Sequence, residues 1–516
     1  MTQIIVGRPQ RIWGRTMRAR NWFLTSGLIM AAGLLTLSPA QAASSDAEAR
    51  ASAAFDAAAP DKARLRLFLQ AMPKGGDLHN HLWGAPYAED FIAWAGEGGL
   101  CVSTATPPAL TPAPCDGKAT VPAAGLARRD PALYNRVIDS LSVRNYDRGA
   151  DHAAASGHDQ FFSTFERFAA AAAPNIGPMV AVTREYAAQD RVSYVESSAN
   201  PNAMRAFAER EAGRWDGDFA KTYAAFASGL PAMVEASRKE MDAALAEADK
   251  RLDCAQNSGT AGPCAVEVRF QPFVERAQPA GFVFAQMAAA FALVDADPRF
   301  VGVNIVNPED HPVSLGDYAL HMRMMRYLSG RYPKVPMALH AGELSLGLVP
   351  PRDLTFHINQ AVMVAGAKRI GHGVDIAYEH DAPGLLKRMA RDKVAVEINL
   401  TSNDVILGVK GADHPLSLYR QAGVPVVLST DDEGVSRIDL TNEYVRAATE
   451  HGLRYADLKA MARDSLEYAF LPGKSLRGAV ECAKPGTACD VFLNKNLKAA
   501  MQWRLEKDFE AFEAIQ

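Results

Sequence analysis

Short apolar runs recur along the chain, with helical stretches between them. The runs are GGDLHNHLW (75–83), VSYVESSA (192–199), AVEVRFQPFV (265–274), FVGVNIV (300–306), VPMALHAGE (335–343), AKRIGHGVD (367–375), VAVEINLTS (394–402) and VPVVLSTDD (424–432). Each has the length of a strand, and most have the near-continuous apolar character of a strand covered on both faces. AGFVFAQMAAAFALVDA and HPLSLYRQAG read as helices between them. Alternating strands and helices predict parallel β-α units, and eight such strands are the number that closes a (β/α)8 barrel of TIM type. In that α/β fold, catalytic side chains stand at the C-terminal ends of the strands.

Two segments fall outside this alternation. Residues 43–70 are Ala-rich, and the apolar spacing in DKARLRLFLQAM predicts an exposed tail leading into one helix, an N-terminal helical extension to the barrel. The first and second runs are separated by far more chain than one crossover helix requires. A disulfide-closed insertion is expected at 100–125, followed by helices near Asp130–Val143 and Phe161–Ala173.

The N-terminus carries Arg8, Arg11, Arg15, Arg18 and Arg20, then an apolar run from Trp22 to Leu37, then Ala40-Gln41-Ala42 before Ala43. This is the order of a secretory signal peptide, so residues 1–42 are expected to be removed after Ala42 and residues 43–516 to form a single catalytic barrel domain, periplasmic or secreted. The apolar run is shorter than the roughly 20 residues that span a bilayer, which argues against an uncleaved anchor. With 516 residues, 48% hydrophobic and 22% charged, the composition is that of a globular protein and excludes intrinsic disorder. The net charge of −4, with no basic block after the leader, gives no footprint for nucleic acid. Export makes disulfides the natural reading of the six cysteines. Fifteen connectivities are open to them, and turn-rich loops between sequence neighbours favour 101/115, 254/264 and 482/489. No C-x-x-C metal motif is present.

Polar residues gather where the strands end. Side chains two apart on a strand share a face, so His79 and His81 in His-Asn-His can ligate one ion. His340 and Asp431 supply a third and fourth ligand from two other strands, a His/carboxylate set suited to one zinc with an exchangeable water. Glu343, His372 and Asp432 stand at or near the ends of the fifth, sixth and eighth runs, and Asn403 lies just beyond the seventh. His321, His357, His414 and His451 read as structural, while His311 could border the pocket.

MPKGGDLHNHLWGA, LHAGE, KRIGHGVD, TSN and LSTDD together resemble, in order, the motifs of the adenosine deaminase family of the amidohydrolase superfamily. The MPKG start, the leader and the Cys-paired loops look closest to its secreted, adenosine deaminase-related growth factor branch. The resemblance implies a zinc-dependent hydrolytic deamination of adenosine or a related 6-aminopurine nucleoside, a small-molecule substrate. His79, His81, His340 and Asp431 would hold the zinc, Glu343 would shuttle the proton, His372 would orient the water, and Asp432 would hydrogen-bond the purine. These roles agree with the chemistry: attack on C6 breaks aromaticity, so N1 must gain a proton, and a carboxyl shielded from water can supply it.

Two positions depart from the family pattern. Trp83 stands where many members carry an Asp that contacts ribose; an indole cannot accept a hydrogen bond from a sugar hydroxyl and is expected to stack or to pack the pocket wall. Asn307 stands at a glycine whose backbone approaches the purine, so it would narrow the pocket or offer an amide. Two other readings compete: a different exported amidohydrolase, and a secreted binding or growth-factor-like protein on a relic barrel. Binuclear relatives use a fourth-strand lysine, absent from FVGVNIV, and the H-x-E and P-C-x-x-C pair of cytidine deaminases is also absent.

Overall fold

The computed structural model describes residues 39–146, 156–257, 259 and 261–516. The expected leader lies outside the described residues apart from the start of a helix at Pro39–Ala58. Asp46–Gln516 forms one compact unit. Among the described residues no helix is long and apolar enough to cross a membrane.

The eight apolar runs become eight parallel strands: β1 (Gly75–His81), β2 (Val192–Ser198), β3 (Glu267–Gln271, continued by Phe273–Glu275), β4 (Asn304–Val306), β5 (Ala338–Ala341), β6 (Arg369–His372), β7 (Ala395–Ile398) and β8 (Val426–Leu428). Ladders join β1 to β2 to β3, the continuation of β3 to β4, and β5 through β8 in sequence order. Single bridges complete the ring, Val303 to Met337 between β4 and β5 and Asn80 to Asp431 between β8 and β1. Pro272 divides β3 because it lacks the N–H a ladder needs. The result is a (β/α)8 barrel.

The insertion after β1 holds a small antiparallel sheet with Cys101–Ser103 between Leu110–Thr111 and Thr120–Pro122. The bond from Cys101 to Cys115 closes it, and Cys254–Cys264 and Cys482–Cys489 close two other loops. Helices Pro131–Ser140 and Gly157–Ala172 follow, the first with Pro131 at N1 behind the Asp130 cap and the second capped by Ser156.

Two features depart from the sequence reading. Residues 39–71 form two helices, Pro39–Ala58 and Lys62–Ala71, rather than a tail and one helix. Ala51 and Phe55 are buried; Phe55 meets Phe68 of the second helix edge-on, and Phe68 in turn meets Phe512 of the C-terminal helix Leu497–Ala514, so packing on the second helix orders the first. Helix Ala280–Ala296 is buried around its whole circumference from Gly281 to Leu293 and so shows no amphipathic stripe. Three helices between β2 and β3, at Asn202–Glu211, Phe219–Phe226 and Leu230–Arg251, cover it from outside.

Candidate active site

Polar side chains cross the barrel beneath the site. Glu196 on β2 and Arg369 on β6 come from strands that are not neighbours, so their 2.6 Å ion pair must run through the interior. Arg369 also reaches Glu397 Oε1 at 2.5 Å, and Glu397 Oε2 accepts from His79 Nδ1 at 2.7 Å. Every member of this chain is buried to within 2% of full enclosure. Burial opposes ionisation of Glu397, but Arg369 and His79 hold its pKa below the ordinary value.

The chain ends in a cluster of converging donors. His79 Nε2 lies 3.0 Å from His340 Nε2 and 3.3 Å from His81 Nε2, and His81 Nε2 lies 3.3 Å from His340 Nε2. Asp431 Oδ1 is 3.4 Å from His79 Nε2 and 3.3 Å from His81 Nε2. The outer nitrogen of His79 is engaged by Glu397 and that of His340 by Asn304 Oδ1 at 2.9 Å. Both rings therefore carry Nδ1–H and aim a bare Nε2 at the same point. An ion bonded tetrahedrally at about 2.0–2.1 Å separates its ligand atoms by about 3.3–3.4 Å, so these four side chains fit one metal ion. Ser402 Oγ donates to Asp431 Oδ2 at 2.6 Å and keeps that oxygen oriented. Burial works against the Asp431 charge, yet the surrounding imidazoles hold its pKa far below the carboxylate range.

The local backbone serves this convergence. His81 N–H donates to Asp431 O at 3.0 Å and Asp431 N–H to His79 O at 2.8 Å, so the barrel closes through the ligand residues themselves. Asp431 (φ 60°) and His372 (φ 68°) adopt the left-handed region, costly for residues with a Cβ and characteristic of constrained sites. Gly371 leaves room for the His79 ring: a Cβ there would stand 2.6 Å from His79 Cε1.

Glu343 and His372 form a second group that shares Asp431. His372 Nε2 is 3.6 Å from Glu343 Oε1 and 3.9 Å from Asp431 Oδ2. Burial raises the Glu343 pKa. Glu309 positions its backbone, accepting from Gly342 N–H at 3.1 Å, Glu343 N–H at 2.8 Å and His357 Nδ1 at 2.6 Å. Burial disfavours the charge on Glu309, but Arg276 and His357 bring its pKa down to about 2. Arg276, fully buried, donates to Asn307 O at 2.8 Å and His340 O at 3.2 Å, and its Nη2 stands 3.9 Å from Glu343. Asp432 is buried beside Gly84, its Oδ1 without a hydrogen-bond partner among the described residues; burial, and next the charge of Asp431, push its pKa well above the carboxylate range.

Trp83 is half-buried against the core, but it does not continue the strand face of His79 and His81. β1 ends at His81, whose carbonyl accepts from Gly84 and Ala85 N–H in a turn, so strand alternation no longer applies at Trp83. Asn307 has φ 81°, the conformation of the glycine it replaces, and its Oδ1 is buried without a hydrogen-bond partner among the described residues. His311 Nδ1 accepts from Val313 N–H and caps helix Pro312–Arg331. Glu397, Arg369, Glu196, Asn304, Glu309 and Arg276 were missed in the sequence. Glu196, Asn304, Arg369 and Glu397 each interrupt an otherwise apolar strand run, which is a readable signal.

Three imidazoles and a carboxylate that converge at the mouth of a (β/α)8 barrel, with a carboxyl and an imidazole beside them, form a site able to hold a metal ion. Residues 179–481 match the family profile described as adenosine deaminase, and the chain belongs to that family. That match begins after β1, so geometry is what joins His79 and His81 to the other ligands. An adenosine deaminase from Shewanella denitrificans is 39% identical over 126 residues, 24% of this chain and 37% of that protein. The alignment thus spans little more than a third of the relative. An Arabidopsis ADAL structure complexed with IMP superposes with TM-score 0.53 at 16% identity, covering 86% of this chain and 99% of that one. Adenine deaminase from Arthrobacter aurescens gives TM-score 0.51 at 14% identity over 84% of this chain and 99% of that one. These structures share the barrel fold.

Proposed function

We propose that this chain is a zinc-dependent aminohydrolase that replaces the 6-amino group of a purine nucleoside, or a related 6-aminopurine, by oxygen and releases ammonia. The observation that carries the reading is the arrangement of Glu343, its pKa raised by burial, and His372 around the point where His79, His81, His340 and Asp431 converge. Three imidazoles and one carboxylate at tetrahedral spacing suit zinc, one per chain. Zinc, when bound, makes water nucleophilic near neutral pH.

The residues of the chain divide the remaining work. Glu343, whose pKa burial raises, gives a carboxyl proton to ring N1 as C6 is attacked; the carboxylate left behind takes a proton from the attacking water and passes it to the departing amine, and the acid is restored by the proton that the C6 hydroxyl loses on becoming the 6-oxo group. His372, fixed by its contact to Asn403, stands beside Asp431 where charge develops on the attacking oxygen. Asp432, buried with its Oδ1 unpartnered among the described residues, hydrogen-bonds the purine. Trp83 and Asn307 are assigned to the pocket border. Binding of IMP by ADAL supports a purine ligand in this fold. Export, with Ala43 as the mature N-terminus, is part of the same proposal, as is membership of the growth-factor-related branch. Three disulfides support an oxidising compartment.

The test is deamination of adenosine, deoxyadenosine, adenine, methylthioadenosine and AMP by the zinc-loaded chain, followed by ultraviolet absorbance and ammonia release. Glu343→Gln should retain the metal and lose at least about 100-fold in kcat, the lower range of acid–base catalysis. No turnover of any member of the panel by metal-loaded protein overturns the reading.

A further inference from the structure

His414 and Asn403 stand outside the metal-ligand cluster, yet a continuous set of contacts runs from them into it. Leu416 opens helix Leu416–Gln421, so its N–H has no carbonyl partner within the helix. It donates instead to His414 Nδ1 at 3.2 Å. An N–H cannot reverse its role, so Nδ1 of His414 holds a lone pair. The His414 ring is 3% exposed, and burial, reinforced by His451 and Arg446, lowers its pKa to about 3. A neutral imidazole with a bare Nδ1 carries its proton on Nε2.

Asn403 bridges this ring to His372, its Nδ2 placed 2.8 Å from His414 Nε2 and its Oδ1 2.8 Å from His372 Nδ1. A half-turn of the amide exchanges its oxygen and nitrogen, so the surrounding donors decide which faces which. With Nε2–H of His414 donating, the terminus facing His414 is the oxygen. The terminus facing His372 is then NH2, and Nδ1 of His372 accepts. The opposite arrangement would leave His414 with two acceptor nitrogens, which only an imidazolate possesses. His372 therefore carries its proton on Nε2, the buried nitrogen that has no hydrogen-bond partner among the described residues and faces Glu343 and Asp431.

We propose that His414 is a positioning residue: through Asn403 it locks His372 in the tautomer that presents Nε2–H to the reacting centre. His372 then donates a hydrogen bond to the attacking oxygen and does not remove its proton. This role rests on the aminohydrolase reading above, whereas the tautomer itself does not.

The experiment uses the zinc-loaded chain labelled with 15N-histidine, in which the ring shifts of His372 distinguish Nε2–H, Nδ1–H and the doubly protonated ring without any substrate. The wild type should show Nε2–H. Asn403→Asp keeps the shape but offers only acceptors, so His372 should switch to Nδ1–H and kcat should fall about 10–100-fold, as for other outer-sphere partners, with KM changed less than about threefold. His414→Phe fills the ring volume without a donor and should lose the single tautomer and about tenfold in kcat. His414→Gln, which restores an N–H at the Nε2 position, should recover both. A wild-type His372 protonated on Nδ1 or on both nitrogens overturns the proposal. So does a His414→Phe chain with an unaltered His372 tautomer and unaltered kcat. Absence of turnover in every chain, with Nε2–H observed in the wild type and lost in Asn403→Asp, would instead refute the substrate reading and leave the tautomer relay standing.

Discussion

Replacing Glu397 by Gln changes one atom of the side chain and should weaken the metal site from behind. In the native protein both carboxylate oxygens face donors: Oε2 accepts from His79 Nδ1 at 2.7 Å and Oε1 from Arg369 Nε at 2.5 Å. Glutamine has one oxygen and one NH2, so one of the two contacts must become donor against donor. If the NH2 faces His79, Nδ1 has to accept, the proton moves to Nε2, and the ring no longer offers a lone pair to the ion. If it faces Arg369, a buried guanidinium loses a charge-assisted hydrogen bond worth about 1.5–3 kcal/mol. Arg369 keeps Glu196 at 2.6 Å and the Tyr468 carbonyl at 2.9 Å, so the second arrangement strains the fold without collapsing it. In the first arrangement the expected loss of zinc affinity is about 10–100-fold, and in the second the cost appears as a lowered melting temperature. The loss of affinity corresponds to about 1.4–2.8 kcal/mol, at 1.4 kcal/mol per tenfold. Competition with a chelator, alongside thermal melting of the metal-free protein, separates the two effects. A variant with zinc affinity within about twofold of wild type and an unchanged melting temperature would refute the argument, because one of the two contacts of Glu397 has to fail in either arrangement.

Other substitutions probe different parts of the same geometry. Gly371→Ala should expel or distort His79, since the new Cβ would lie 2.6 Å from its Cε1; metal content should fall while far-ultraviolet circular dichroism stays native, and full metal retention contradicts the packing argument. His158 joins the start of helix Gly157–Ala172 to Asp310 at 3.1 Å, and although burial opposes its charge, Asp310 and Asp159 push its pKa up to about 9. A pKa raised above the unfolded value gives stabilisation that is complete below about pH 6.5 and lost as pH rises through about 9. Replacing Asp310 by Asn should therefore remove part of the fall in melting temperature across that window, and an unchanged pH slope counts against the pair. Removing the Cys101–Cys115 bond with serines at both positions, a sequence separation of 14, should cost about 3 kcal/mol in urea unfolding; a loss below about 1 kcal/mol would mean the loop is ordered without it.

Local pattern was enough to read the barrel and the four residues that converge at its mouth. Most of the eight runs are strands buried on both faces, so their apolar character is written residue by residue and does not depend on their partners. His79, His81, His340 and Asp431 were legible for a related reason: ionisable side chains ending buried strands have few roles besides ligation or catalysis, and the strand ends of a barrel face one another. The three disulfides were also within reach, because each joins cysteines no more than 14 residues apart. Tertiary structure alone decided what depends on distant partners. Helix Pro39–Ala58 has a weak stripe of its own and is ordered by packing that includes a helix at the other end of the chain. Trp83 left the strand face because the ladder from β8 reaches His81 and a turn follows, a boundary that the residues 79–83 do not mark. Glu196, Arg369 and Glu397 look in sequence like isolated charges in apolar runs. Only barrel closure brings strands two, six and seven across one interior, where each charge compensates the next and the last holds His79 to its task.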